Sequence, residues 1–250
     1  MQSDPLALLQ EEIAACELCP RLRDWRRRVA AEKRRAYRDW DYWGRPVPSF
    51  GDPEARLLII GLAPGAHWAN RTGRMFTGDS SGDFLYRVLY STCFASQPES
   101  VSRDDGLGLR DAYVTAAARC APPANKPLAE ELARCRPYLE QELGLLPGIR
   151  VVVVLGRVAF DAYMSILRDR GRISSRAAYV FGHNRLHRFG DDLPALISSY
   201  HPSQQNTSTG RLTEPMLRAV FQRARRLLET DLAKDGGRGI LQSYAAHKEI

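Results

Sequence analysis

The chain has 250 residues, 44% of them hydrophobic and 26% charged, with 36 Lys and Arg against 29 Asp and Glu and a formal net charge of +7. That length and balance describe one globular domain able to bury a full core, and they exclude a disordered or fibrous chain. The longest apolar run, residues 57–62, is far too short to cross a membrane, and acidic and polar residues break up the leucines near the start, so a cytoplasmic protein without a signal peptide is expected.

In chain order, residues 5–16 have Leu6, Leu9 and Ile13 at helical spacing and predict a helix. A tight loop with Cys16 and Cys19 follows. Residues 21–43 are basic and interleaved with Trp25, Tyr37, Trp40, Tyr42 and Trp43. This stretch suits nucleic-acid tracking and stacking, and equally an amphipathic helix that packs its aromatics inward. A Pro/Gly-rich connector runs to Pro53. Residues 56–61 read as a buried strand that opens into a 19-residue loop, 61–79, and then a helix capped at Ser80 or Ser81. Residues 112–116 are a second strand, 130–143 a helix carrying Cys135, 150–156 the strongest strand, 158–167 a helix, 193–200 a fourth strand, and 214–228 a last helix. One domain over residues 1–235 is expected, with a polar tail over 236–250. Strands alternating with helices predict an α/β fold, a three-layer α/β/α sandwich around a short central parallel sheet. Chemistry in such folds sits at the carboxyl ends of the strands.

Arginine supplies most of the positive charge, and its fork suits bidentate phosphate contacts. The charge favours a polyanionic partner such as nucleic acid, although a GC-rich genome gives the same balance. Of five cysteines, Cys16, Cys19, Cys120 and Cys135 form the first constellation. In a reducing compartment they suit a metal centre, either zinc or iron–sulfur. Fourteen residues between Cys120 and Cys135 depart from the repeated short spacing of zinc ribbons; buried free thiols are the remaining reading. Cys93 reads as a small core residue. The 61–79 loop has neither a P-loop nor a dinucleotide-binding pattern. In it Phe76 is placed to stack on a base, with Asn70, His67 and Asp79 as polar contacts; a purely structural loop with Phe76 in the core is the alternative. His201, kept extended by Pro202, is a catalytic candidate at a strand end. The polar run after it either enters a duplex or is simply solvated.

Three segments then carry a specific likeness. GLAPGAHWANRTGRMFTGD (61–79), RCAPPANKP (119–127) and HPSQQNTSTGRLT (201–213), with the four cysteines and the stretch from Tyr42 through Pro48, resemble family 5 of the uracil-DNA glycosylase superfamily. The resemblance implies a DNA-repair enzyme, a monomer, acting on double-stranded DNA that contains uracil or other deaminated bases such as hypoxanthine. It implies a structural [4Fe-4S] cluster on Cys16, Cys19, Cys120 and Cys135. Phe76 would stack on the flipped base, and His201 would hydrogen-bond the base and stabilise its negative charge. Gly61, Ala63, Asn125 and His67 would complete the base site. Arg71, Arg74, Ser203, Gln204, Gln205, Asn206 and Arg211 would contact DNA.

Many superfamily members carry an acidic residue or Asn where this chain has Ala63, and an Asn at the end of the second strand, where residues 113–118 have none. Base reading then falls to backbone groups, Asn125 or Asn70, which fits a broad substrate range. Asp79, or a water held by Asn70, is expected to activate the nucleophile. Lys126 is the lone lysine of the motif loops, so plain hydrolysis is expected. Two other classes compete: a non-catalytic iron–sulfur DNA-binding or damage-sensing protein on the same fold, and a zinc-stabilised nucleotide hydrolase.

Overall fold

The computed structural model describes residues 4–190 and 192–245. The elements are α1 (Pro5–Ala15), α2 (Pro20–Glu32), β1 (Phe50–Gly51), β2 (Leu57–Gly61), α3 (Ala69–Thr72), α4 (Ser80–Ser91), β3 (Ala112–Ala116), α5 (Ala129–Leu145), β4 (Val151–Leu155), α6 (Arg157–Asp169), β5 (Arg185–His187), β6 (Ala195–Ser199), α7 (Gln204–Ser208) and α8 (Glu214–Ala245). All six strands form one sheet in the order β1-β3-β2-β4-β6-β5. The four central strands are parallel, as the sequence predicts. The two edges, β1 and β5, pair antiparallel and make the sheet mixed. Their two and three residues are too short to show a periodicity of 2 in the sequence.

Every residue of β2, β3 and β4 is buried, because helices cover both faces. Leu57, Ile59, Val151 and Val153 pack with Leu85 and Leu89 of α4 and Val220 and Phe221 of α8. Their neighbours Leu58, Ile60, Val152 and Val154 point the other way, onto Leu139 of α5 and Phe160 and Met164 of α6. Continuous apolar runs are what such two-faced burial requires, and each buried Leu or Ile contributes about 1.5–3 kcal/mol.

The basic stretch begins as helix α2, which buries Leu22, Arg26 and Val29. The cap of α4 is Asp79 rather than Ser80 or Ser81: its carboxylate accepts the Gly82 N–H at 2.8 Å. Cys93 is exposed rather than in the core. The chain reverses there with φ +63°, and the next residue, Phe94, takes the buried place. Helix α8 runs on to Ala245, so the first part of the expected polar tail continues it; residues 246–250 lie outside the described residues. No helix among the described residues is long and apolar enough to cross a membrane.

From β2 the chain moves to β3 on one side, and from β3 to β4 on the other. The loops leaving β2 and β4 therefore diverge and leave a crevice at the carboxyl ends of the strands.

Candidate active site

A cavity of roughly 330 Å³ occupies that crevice. The loop after β2 supplies Gly61, Ala63, Trp68, Phe76 and Asp79; the turn after β3 supplies Asn125; and the segment after β6 supplies His201, Ser203 and Gln204. Three sequence segments far apart in the chain thus meet at one opening, within the size range of small-molecule pockets.

Phe76 holds a left-handed backbone, φ +53°, uncommon for an aromatic residue. Its ring sits over Gly61, where an added Cβ would come within 2.7 Å of the ring edge, so the absence of a side chain there makes room for it. The Phe76 and His201 rings face each other across 6.0 Å at 33°. His201 is fixed from two sides. The Asn206 amide donates to its carbonyl at 2.8 Å, and Gly156 leaves space beneath it, an added Cβ lying 3.2 Å from the His201 Cβ. His201 keeps some accessibility at the cavity, but protein atoms crowd its ring, and the lost hydration pushes its pKa down to about 4. It is therefore neutral at pH 7, with a ring N–H to donate.

Burial raises the Asp79 carboxyl above the ordinary range; its hydrogen bonds with Gly82 and Ser81 oppose this only in part. An ionised carboxylate with a raised pKa is a stronger base, and the Gly82 N–H fixes its direction.

The structure withdraws several expected residues from the opening. Asn70 is fully buried, and its amide donates to the Arg26 and Ala66 carbonyls at 3.2 Å each, bracing the loop on α2 instead of holding water at the cavity. His67 meets the Tyr42 hydroxyl at 3.2 Å and does not line the cavity. Arg71, 3% exposed, is sandwiched between the Tyr37 and Trp40 rings at 4.1 and 4.0 Å and donates to two loop carbonyls. Arg74, also 3% exposed, forms a bidentate pair with Asp105. Neither arginine is free for DNA, because each is spent on closing the 61–79 loop. Burial alone would raise the Asp105 pKa, yet Arg74 and three backbone N–H groups hold it at about 2. The aromatic stretch is likewise engaged internally: Arg28 lies over Trp25, and Arg45 and Arg103 over Trp43. Gln204, which lines the cavity, Gln205 and Arg211 remain exposed, and Arg211 lies over the Tyr200 ring at 4.9 Å. Trp68 lines the cavity too, and nothing in its loop spacing distinguished it from a core tryptophan.

Behind the crevice Cys16, Cys19, Cys120 and Cys135 line one small cavity, and none forms a disulfide. Arg26 and Arg119, each 1% exposed, line it as well, and the Nε of each has no partner among the described residues. The Arg119 backbone N–H donates to the Cys135 sulfur at 3.2 Å. No three His, Cys, Asp or Glu side chains among the described residues converge as a site for a metal ion does; the thiols ring a space instead.

The uracil DNA glycosylase superfamily model matches residues 48–225. A type-5 uracil-DNA glycosylase of Thermus thermophilus is 51% identical over 87% of this chain and 95% of its own. One from Mycobacterium tuberculosis is 47% identical over 86% of this chain and 79% of its own. One from Pyrobaculum aerophilum is 44% identical over 84% and 87%.

Proposed function

The chain belongs to the uracil DNA glycosylase superfamily, in its type-5 branch, and from that membership we infer that it excises uracil from DNA by hydrolysing the N-glycosidic bond. Hydrolysis demands that the base leave the stack, at a cost of a few kcal/mol. The cavity at the strand ends would receive it, with one face on Phe76. Bond breaking leaves negative charge on the base and positive charge on the sugar. The neutral His201 donates an N–H to the base anion without bringing a counter-charge of its own, in a site screened from water. Asp79 orients and deprotonates the attacking water, and its charge favours the sugar cation. Exposed Gln204, Gln205 and Arg211 would meet the strand the base has left. The cavity is complete within one chain, which supports a monomer.

Base recognition is broad in this proposal. Ala63 and Ala116 line the wall, and Asn125 and Gln204 are the side-chain amides among the lining residues that can read a base edge. So few polar readers admit hypoxanthine and xanthine beside uracil.

We propose that Cys16, Cys19, Cys120 and Cys135, which line the second cavity, would hold a [4Fe-4S] cluster. Tetrahedral zinc needs its sulfurs at one point, whereas a cluster is held by thiolates around a larger core. The two buried arginines suit the negative charge of such a centre, and the N–H on Cys135 suits a cluster sulfur ligand. Bound there, the group would supply a cross-link between distant segments.

The convergence of Phe76, Asp79 and His201 on one cavity carries the functional reading. Duplexes bearing one uracil, hypoxanthine or xanthine opposite each normal base, incubated with protein and then hot alkali, should break at the lesion. His201→Ala should slow the cleavage about 10²–10³-fold. Retention of uracil DNA without any cleavage would favour the non-catalytic binder.

A further inference from the structure

Strand β6 alternates its bonding sides. Ala195 and Ser199 bond toward β4, through the Ala195 N–H to Arg150 and the Gly156 N–H to Ser199. Leu196 and Ser198 pair with His187 and Arg185 of β5. The next backbone N–H on the β5 side belongs to Tyr200, the residue before His201. By the same antiparallel register its partner is residue 183, but the chain has already turned there, with Asn184 at φ +51°. The His183 side chain fills the gap. Its Nδ1 accepts the Tyr200 N–H at 3.4 Å and meets the Ser199 hydroxyl at 3.3 Å, and its ring lies 5.2 Å from the Tyr200 ring at 31°. A backbone N–H can only donate, so Nδ1 carries the lone pair and the ring proton sits on Nε2. Burial lowers the pKa of His183, a hydrogen bond with the Met216 backbone opposing it, in keeping with a neutral ring.

We propose that His183 is a positioning residue for His201: its Nδ1 completes the β6 edge and fixes the Ser199–Tyr200 peptide, one residue before the base-anion donor. Asn206 holds the carbonyl of His201, and His183 holds the N–H of the residue before it. His201 is thereby restrained on both sides along the chain, as a donor needs if it is to stay aligned with a charge that develops only in the transition state.

The proposal rests on the glycosylase reading, and the experiment separates the two. Single-turnover uracil excision, DNA affinity and hydrogen exchange at the Tyr200 amide are measured in wild type and three variants. Asparagine carries an acceptor near the position of Nδ1, whereas glutamine reaches toward that of Nε2. His183→Ala should slow excision about 10²-fold, the scale of a small misplacement, with affinity for uracil DNA held within about twofold. His183→Asn should restore the rate to within about threefold of wild type, and His183→Gln should resemble Ala. Exchange at Tyr200 should quicken in Ala and Gln and recover in Asn. An unimpaired His183→Ala overturns the proposal, as does an Asn variant as slow as Ala. If His183→Ala fails to fold, equal rates in Asn and Gln overturn it. A wild type that leaves uracil DNA intact while the exchange pattern holds defeats the glycosylase reading and leaves the restraint standing.

Discussion

At the scale of single residues, burial decides which polar side chains of the 61–79 loop act outward. Arg71, Arg74 and Asn70 belong to the same segment as Phe76 and Asp79, and nothing in their spacing separates those that brace the loop from those that face the cavity. Arg74 provides a direct test. Its partner Asp105 is 12% exposed and keeps three backbone N–H donors, so Arg74→Ala removes the charge partner of a largely buried carboxylate and should cost about 1.5–3 kcal/mol in thermal or denaturant unfolding. It should leave the salt dependence of DNA binding unchanged, whereas a lost phosphate contact lowers the log–log slope by about 0.9. His201 makes a pH prediction. Its folded pKa of about 4 lies below the ordinary 6.5. Above pH 6.5 the ring is neutral both folded and unfolded, and nothing is lost. Between 6.5 and 4 the unfolded chain takes up a proton that the folded chain refuses, so stability falls as the pH falls. The melting temperature of wild type should therefore drop more between pH 7 and pH 5 than that of His201→Gln; equal drops would assign the ring an ordinary pKa.

At the scale of elements, helix α5 ties the cysteine-lined cavity to the sheet. It carries Cys135 and, two turns on, Glu142, which is fully buried and paired with the 1% exposed Arg119. Thr115 of β3 donates to the same carboxylate at 2.6 Å, and Ser49 and Gln10 also reach it. Glu142 therefore locks α5 to the end of β3 and to the turn bearing Cys120. Glu142→Ala should cost about 3–5 kcal/mol by leaving the Arg119 guanidinium buried without its carboxylate. A loss under 1 kcal/mol in chemical denaturation would mean that water reaches Arg119 and the lock is loose.

At the scale of the whole molecule, the four cysteines come from the α1–α2 junction, the turn after β3 and α5, so a group bound to all of them ties the N-terminal helices to the sheet. Anaerobically purified protein should contain iron and sulfide, and Cys135→Ser should lower both the iron content and the melting temperature, because metal-binding free energy is folding free energy. Zinc in place of iron would overturn the cluster.

Much of this architecture was legible in the sequence. The runs at 57–60 and 151–155 are apolar throughout, and 112–116 is apolar but for Thr115; at this length and with β-branched residues such runs suit strands covered on both faces, which gave the parallel sheet and, with it, the end where loops gather. Phe76 and Asp79 lie in the long loop after the first of these runs and His201 follows the strand at 195–199, so their meeting at the carboxyl end of the sheet was foreseeable from chain order. The short edges were not legible, since two or three residues carry no period. Nor was the division of labour among the arginines. Whether a guanidinium meets solvent, an aromatic pair or a carboxylate depends on segments distant in the chain, such as Asp105 for Arg74 and Tyr37 and Trp40 for Arg71. His183 shows the same limit. Local sequence sets its turn, but its task arises only because β6 runs one residue beyond its partner and leaves an N–H that the tertiary structure must satisfy.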